Sequence, residues 1–423
     1  MIAMAVPMVI TLCSRMLMDL ADFFMISRLP VGADIAQAAI LPAQITLWTF
    51  IVTGMATVSI NSTFVSQSTG RGRDRDAGVY TWQAVYIGGF YGLLGLMLYP
   101  LLPGIFELID HAPEVQALEV IYARICLLTV GPTIITEAFA SFFNGVHRPK
   151  VTMWSAIEAN LLNVVVSMVL IFGWWIFPAM GIAGAAWGTL IGVVYRMVRL
   201  GVTFGWGRFA AGYAPRATWR LDWVKLRSVL RTGLPQGLQA TSDVCVWMVF
   251  INVLTGQMFG QTALVASNVA WQYLRISFMP TFGIGIALTA LVGKAIGQRD
   301  FDLARRYTRI ALGILIGYMA LLSLVYYLRR YWLIELFNDD LAVIAIGGGV
   351  MICAVVWQVF DGAAIGYHAA LKGAGDTFWP AVLFIISHWV IVIGGGYAMA
   401  KLYPDLGILG PWMAAATLII FLS

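Results

Sequence analysis

The sequence predicts an all-α membrane protein of twelve transmembrane helices, arranged as two six-helix lobes related by a parallel pseudo-two-fold repeat. Three observations support this prediction: the composition, the length of the apolar runs and an internal repeat. Apolar residues make up 60% of the chain and charged residues only 11%, and the mean hydropathy is +0.84. Because a water-soluble domain carries about 25% charged residues, the expected solvent is a lipid bilayer.

Apolar runs long enough to cross a bilayer, which takes about 20 residues of α-helix, occur along the whole chain. The runs are continuous and do not alternate polar with apolar residues, which favours helices over a β-barrel. The twelve predicted spans cover residues 2–27, 36–68, 79–102, 117–144, 151–173, 181–205, 229–256, 263–294, 303–327, 342–371, 379–401 and 408–423.

The polar segments between these runs define the boundaries. The N-terminal stretch MIAMAVPMVI lacks the basic region and cleavage site of a signal peptide, so the first helix begins at once. The second run ends in FVSQSTGRG and is followed by the charged loop RDRDAGVYT at 73–81. The eighth run ends in LVGKAIGQ and is followed by the similar loop RDFDLARRYT at 299–308.

The similarity of these loops is part of a repeat that covers six helices. Pro7 and Pro235 are 228 residues apart, Tyr80 and Tyr307 are 227 apart, and GIAGAAW at 181–187 matches GILGPWM at an offset of 226. We therefore predict an N-terminal lobe (1–205), a cytoplasmic linker (206–228) and a C-terminal lobe (229–423). Because six is even, both lobes enter the membrane from the same side. The twelfth span is about two helical turns shorter than the sixth, its counterpart in the repeat. We therefore expect the sequence to be a fragment of a longer chain.

The distribution of basic residues predicts the orientation. Of the 26 Lys and Arg residues, 19 lie at loops that follow even-numbered helices and four at loops that follow odd-numbered helices. The positive-inside rule then places both termini in the cytoplasm, and a bacterial inner (plasma) membrane is the expected location. The pI of about 9.0 results from this bias and does not indicate a nucleic-acid partner.

Ionisable residues within the spans are the candidates for function, because a charge at the bilayer centre costs about 2.5–3.5 kcal/mol and marks ion or proton paths. Asp22 has no obvious base on its own helix, whereas Asp19 follows Arg15 by four residues and can neutralise it. Asp243 and Asp361 lie roughly 20 Å and 16 Å from the cytoplasmic ends of their helices at 1.5 Å per residue. Two acids at similar depth can bind a cation together or share a proton.

The remaining polar residues carry weaker signals. Glu137 and Glu158 lie within about two helical turns of a cytoplasmic end, where water has access. Arg275 is either a counter-charge or a side chain that extends to the membrane surface, and Gln272 repeats Gln44 at an offset of 228. The four histidines show no metal-type spacing and are expected in loops or at interfaces, and the four cysteines all lie in apolar runs and are expected to act as small hydrophobes.

Several segments resemble the multidrug and toxic compound extrusion (MATE) transporters. The segment SFMPTFGIGIALTALVGKAIGQRD in the eighth span is similar to the most characteristic stretch of that family. The segments DLADFFMISRL, GLPQGLQATSD and DGAAIGYHAALKGAGDT resemble the family's stretches in the first, seventh and tenth helices. The resemblance maps the family's three membrane carboxylates onto Asp22, Asp243 and Asp361.

The resemblance implies an antiporter that exports organic cations, drugs or other amphipathic compounds by alternating access, driven by Na⁺ or H⁺ as the coupling ion. Acids in the seventh and tenth helices together are similar to the sodium-coupled branch, with possible Na⁺ binding at Asp243 and Asp361. In the proton-coupled branch an acid accompanies the asparagine of the fifth helix, whereas here Asn163 is followed by Ser167. Asn163, Arg275, Gln272 and Glu137 are the candidate supporting residues.

Other function classes are weighed against this prediction. A flippase for lipids or lipid-linked oligosaccharides, from the related superfamily, would favour a basic cavity for phosphate. A membrane-embedded enzyme would need a nucleophile and base or a metal set, which the sequence does not suggest, and no GxxxxGK[ST] motif for an ATP motor occurs. We expect a monomer that acts on a small cationic or amphipathic molecule, is surrounded by membrane lipid and needs no cofactor besides the coupling ion.

Overall fold

The computed structural model describes residues 1–29, 32–107, 111–174 and 176–422. The all-α prediction is confirmed, because helix occupies each of the twelve predicted spans and no strand occurs in the described ranges. The α-helices are α1 (Ile2–Ser27), α2 (Ala33–Ser59), α3 (Asn61–Gly70), α4 (Asp74–Leu96), α5 (Leu102–Glu107), α6 (Pro113–Leu127), α7 (Val130–Gly145), α8 (Pro149–Phe172), α9 (Ile182–Trp206), α10 (Trp223–Val249), α11 (Met258–Gly297), α12 (Phe301–Glu335), α13 (Leu341–Ala374), α14 (Phe378–Ser387), α15 (Gly396–Leu402) and α16 (Leu409–Leu422).

Several spans are composite. The helices α6 and α7 together occupy the predicted span 117–144 and are bent by 43° at the break between them. A π-helical segment, Phe250–Gln257, joins α10 to α11, and the resulting helix of 75 residues is broken at Gly260, where φ is 82° and ψ is −175°. Since about 20 residues suffice for one crossing, this stretch accounts for two spans. A second π-helical segment, His388–Gly395, lies between α14 and α15.

The turns of the two halves repeat the same backbone conformation. Positive φ angles recur at offsets of 226–228 residues, which are the offsets of the sequence repeat. The pairs are Gly32 (φ 72°) with Gly260 (82°), Gly72 (72°) with Arg299 (61°), His147 (60°) with Gly375 (91°), and Gly181 (54°) with Gly407 (53°). Arg299 holds a conformation that costs an L side chain roughly 1–2 kcal/mol. The next residue, Asp300, caps α12 by accepting a hydrogen bond from the Leu303 N–H at 2.9 Å.

Contacts divide the chain into two compact units. The N unit comprises Val6–Gly237, and the C unit comprises Met1–Ala5 with Leu238–Ser423. The chain passes from one unit to the other within α1 and within α10, next to Pro7 and Pro235. These prolines occupy equivalent positions of the sequence repeat, so the chain passes between the two units at equivalent points of its two halves.

Glycine sets the spacing of helices in the N unit. A Cβ atom on Gly92 of α4 would lie 2.5 Å from the Cα of Gly131 in α7. On α9, Gly184, Gly188 and Gly192 form a stripe that faces the backbone of α8 around residues 159–171. Small residues at four-residue spacing allow this close packing of membrane helices.

The predicted linker packs against α4 within the N unit. The side chain of Gln83, which is fully buried, donates to the Arg220 carbonyl at 3.2 Å and accepts from the Asp222 N–H at 3.2 Å. The Trp82 indole donates to the Pro215 carbonyl at 2.8 Å. A short 3-10 helix, Arg208–Tyr213, follows α9, and α10 begins at Trp223, before the predicted start of the seventh span at 229.

Candidate functional site

In the N unit, Asp22 of α1 lies beside α8. The side chains of Ser167 and Asn163, one turn apart on α8, are close enough to act as hydrogen-bond partners of the Asp22 carboxylate. Asp22 Oδ1, Asn163 Oδ1 and Ser167 Oγ are all buried, and none makes a hydrogen bond of normal geometry to a described residue. Buried oxygens normally have partners, so this arrangement favours occupation by a cation or a proton.

Packing between helices places this cluster. A Cβ on Gly188 would meet Ser167, and a Cβ on Gly192 would lie 3.1 Å from the Asn163 Cβ, so glycine on α9 lets these side chains fit. The Asn163 amide donates to the Thr189 hydroxyl at 3.4 Å. One turn before Asn163, Asn160 donates to Ser14 of α1 at 3.0 Å and ties the two helices together.

In the C unit, Asp243 lies on α10 with a hydrogen-bond donor from its own helix. The indole N–H of Trp247 donates to Asp243 Oδ1 at 3.1 Å. The Asp243 side chain is 41% exposed, and His388 Nε2 lies 3.7 Å from Oδ1. The carboxylate is therefore held on one side and open on another.

Asp361 of α13 belongs to the same unit and interacts electrostatically with Asp243. Trp357, one turn earlier on α13, is its side-chain neighbour. The structure thus brings together the two acids that the sequence predicts for the second lobe. Asp22 belongs to the N unit.

An aromatic cluster adjoins the two acids of the C unit through Trp247 and Trp357. Trp247 stacks on Trp357 with ring centroids 4.8 Å apart and packs against Trp271 at 4.5 Å with the rings tilted by 36°. Trp357 is 3% exposed and Trp412 is fully buried, with ring centroids 6.3 Å apart. Carboxylates next to aromatic rings suit an organic cation, because the carboxylates are negative and the ring quadrupole attracts positive charge.

The candidate supporting residues are distributed differently. Gln272 and Arg275 are exposed on α11, and neither makes a hydrogen bond or an ion pair to a described residue. Glu137 accepts from the Ser141 hydroxyl at 3.1 Å and interacts with Arg196. Glu158 pairs with Arg199 at 3.1 Å. The structure therefore brings Asn163 to a carboxylate but places the other three predicted supporting residues elsewhere.

Sequence reasoning missed His388. The expectation that the histidines lie in loops or at interfaces is wrong here, because His388 is 2% exposed and lies within the eleventh span. Its position in the apolar run IISHWVIV was the available signal, since a polar ring inside a membrane helix needs a reason. Its proximity to Asp243 depends on helix packing, and no motif marks it.

Long apolar helices define an integral, multi-pass membrane protein, and three of them carry the carboxylates of Asp22, Asp243 and Asp361 within their predicted spans. The sequence model of the MatE family matches residues 7–169 and 243–398. The chain belongs to the MatE family, which is a family of transporters and not of enzymes. The prediction made from the helix 1, 7, 8 and 10 segments is thereby confirmed.

Similar proteins extend over almost the whole chain. The chain is 27% identical over 426 residues to "Probable multidrug resistance protein NorM" of Rhizobium meliloti, covering 97% of this chain and 88% of that protein. It is 27% identical over 421 residues to the protein of the same name from Bradyrhizobium diazoefficiens, with the same coverage of 97% and 88%.

Solved structures share the fold. A multidrug resistance MATE family transporter of the MOP superfamily, in an outward-facing conformation, superposes with a TM-score of 0.90 at 19% identity, covering 100% of this chain and 92% of that chain. A MOP superfamily transporter from Pyrococcus furiosus, in which reverse polarity of the binding pocket suggests a different function, gives a TM-score of 0.89 at 19% identity, with the same coverage of 100% and 92%. At this identity the likeness establishes the fold.

Proposed function

We propose that this protein is a cation-coupled antiporter that exports organic cations, drugs or other amphipathic compounds by alternating access, driven by inward Na⁺ or H⁺. The names of the NorM relatives support drug export. The observation that carries the proposal is the meeting of Asp243 and Asp361 beside the stacked indoles of Trp247 and Trp357. Acidic groups among aromatic rings favour a cationic cargo over a phosphate-bearing lipid.

The two acids serve the coupling ion and the cargo in turn. In the outward-open state Asp243 and Asp361 take up Na⁺ or H⁺, which neutralises the site and releases the cationic cargo. In the inward-open state the ion leaves, and the carboxylates regain affinity for cargo. A membrane potential of 100 mV contributes about 2.3 kcal/mol for each charge moved, which is enough to drive export with one or two ions.

Asp22 forms a second ion-coupling position in the N unit. Its unpartnered Oδ1, together with Asn163 Oδ1 and Ser167 Oγ among the described residues, offers oxygen ligands of the kind that Na⁺ uses. A proton on Asp22 would instead supply the missing donor. Both occupants fit the chemistry of this cluster.

Sodium at the C unit needs further oxygens. Within residues 1–29, 32–107, 111–174 and 176–422, no group of three or more His, Cys, Asp or Glu side chains is arranged to hold a metal ion. A sodium ion at Asp243 and Asp361 would complete its shell with hydroxyl, amide, backbone or water oxygens. We further propose a monomer, in a bacterial inner membrane, with both termini cytoplasmic as the basic loops indicate.

The test uses proteoliposomes loaded with a fluorescent organic cation. Na⁺ and H⁺ gradients are imposed separately, and efflux is compared among the wild type, Asp243→Asn and Asp361→Asn. Each asparagine variant is expected to lose gradient-driven efflux, since it removes the charge and keeps the size. Asp302→Asn, at an exposed aspartate outside the predicted spans, serves as the matched control. Equal efflux with and without either gradient would contradict the coupling mechanism.

A further inference from the structure

His388 has a fixed tautomer. Its Nδ1 lies 2.8 Å from the carbonyl oxygen of Phe384, one helical turn earlier. Because a carbonyl oxygen only accepts, Nδ1 carries the hydrogen, and the neutral ring presents its lone pair at Nε2. The Phe384 ring stacks on the imidazole with centroids 3.6 Å apart, which restricts rotation of the imidazole.

The backbone directs this lone pair toward α10. The π-helical segment of the eleventh span begins at His388, and such segments often occur at functional sites because they reorient side chains. The next residue, Trp389, donates from its indole to the hydroxyl of Ser242 at 3.0 Å. This bond holds the eleventh span at the level of Asp243.

Two hydrogen-bond acceptors therefore face each other. His388 Nε2 and Asp243 Oδ1 are 3.7 Å apart, too far for a direct hydrogen bond. Trp247 supplies one donor to Asp243, which leaves that carboxylate further lone pairs, and the other acid that interacts with it is Asp361. A single ammonium nitrogen can stand about 2.8–3.0 Å from both acceptors, the usual length of such bonds.

We propose that His388 and Asp243 together bind the N–H groups of ammonium cargo, so that the transporter selects protonated amines over quaternary ammonium ions of the same size. This inference rests on the proposed export of organic cations and adds the residue that sets selectivity. A primary or secondary ammonium offers a hydrogen to each acceptor. A tertiary ammonium offers one, and a quaternary ion offers none.

The test compares 1-pyrenemethylamine with its N,N,N-trimethyl derivative in proteoliposomes. The wild type is expected to favour the primary amine about tenfold in kcat/KM, since a hydrogen bond to a charged group contributes about that factor. His388→Phe should bring the ratio below about threefold, the loss of most of that bond. His388→Gln should restore part of it, because the amide oxygen accepts. His368→Phe, at a histidine of α13, is the matched control and should leave the ratio unchanged.

An unchanged ratio in folded His388→Phe would overturn the proposal, as would equal transport of both compounds by the wild type. If His388→Phe does not fold, the test is the kcat/KM of the wild type for a series of compounds from primary to quaternary amine. Equal values along this series would refute the inference. If the wild type transports neither compound, export itself fails. Selectivity is then still tested by equilibrium binding of both compounds, measured as quenching of tryptophan fluorescence in detergent. The ratio of the two binding affinities is compared among the same variants.

Discussion

Replacing Gly188 by alanine is expected to destabilise the protein, although alanine is the better helix former. The new Cβ would lie 2.9 Å from the backbone nitrogen of Ser167 and 3.0 Å from its Cα, and nearer still to its hydroxyl. The hydroxyl can rotate away, but the backbone of α8 cannot. The two helices must therefore move apart by several tenths of an ångström.

The magnitude follows from a comparison with Gly89 of α4, where a Cβ would meet no atom within 4 Å. Both glycines lie inside helices of the N unit, so Gly→Ala gives each the same gain in helix propensity, about 1 kcal/mol. The difference between the variants therefore isolates the overpacking cost, which is about 1–3 kcal/mol. Gly188→Ala should be the less stable variant by that amount.

The assay is unfolding in mixed micelles, followed by circular dichroism, for the wild type and both alanine variants. Because the shift of α8 also moves Ser167 and Asn163 away from Asp22, Gly188→Ala should lose gradient-driven efflux in the fraction that remains folded. Equal free energies of unfolding for Gly188→Ala and Gly89→Ala would refute the inferred close packing of α8 and α9.

Two further predictions concern polar contacts outside the candidate sites. His111 Nδ1 lies 2.7 Å from the fully buried Glu119 carboxylate, so His111→Ala should lower the free energy of unfolding by about 1–3 kcal/mol, the cost of a buried group without its partner; adding Glu119→Gln should recover part of this loss, and a double variant as unstable as His111→Ala would argue against the pair. Gln83→Leu should release the linker from α4 and accelerate tryptic cleavage within residues 214–222. Lys225→Met is the control: it breaks a partly exposed 2.6 Å pair with Asp76 and should change the free energy of unfolding by at most about 1 kcal/mol. Equal cleavage rates for Gln83→Leu and Lys225→Met would contradict the role of Gln83.

The sequence by itself determined the fold class and the course of the chain. Hydropathy is a local property, so twelve apolar runs predict twelve helices without knowledge of their neighbours. The repeat offset of 226–228 likewise appears in the backbone, since Gly72 and Arg299 adopt the same left-handed conformation where the two charged loops begin. The acids Asp22, Asp243 and Asp361 stand out in the sequence because lipid excludes charge from most positions.

Only the tertiary structure decided which side chains meet. Arg275 and Asp361 are comparable as charges inside apolar runs. Arg275, however, is exposed and has no polar partner among the described residues, whereas Asp361 interacts with Asp243. His388 lies near Asp243 in a π-helical segment that no sequence motif predicts. The physical reason is that an apolar helix can rotate about its axis at little cost in lipid. Its orientation is set by close packing against other helices, as at Gly188, and by interhelical bonds such as that from Trp389 to Ser242.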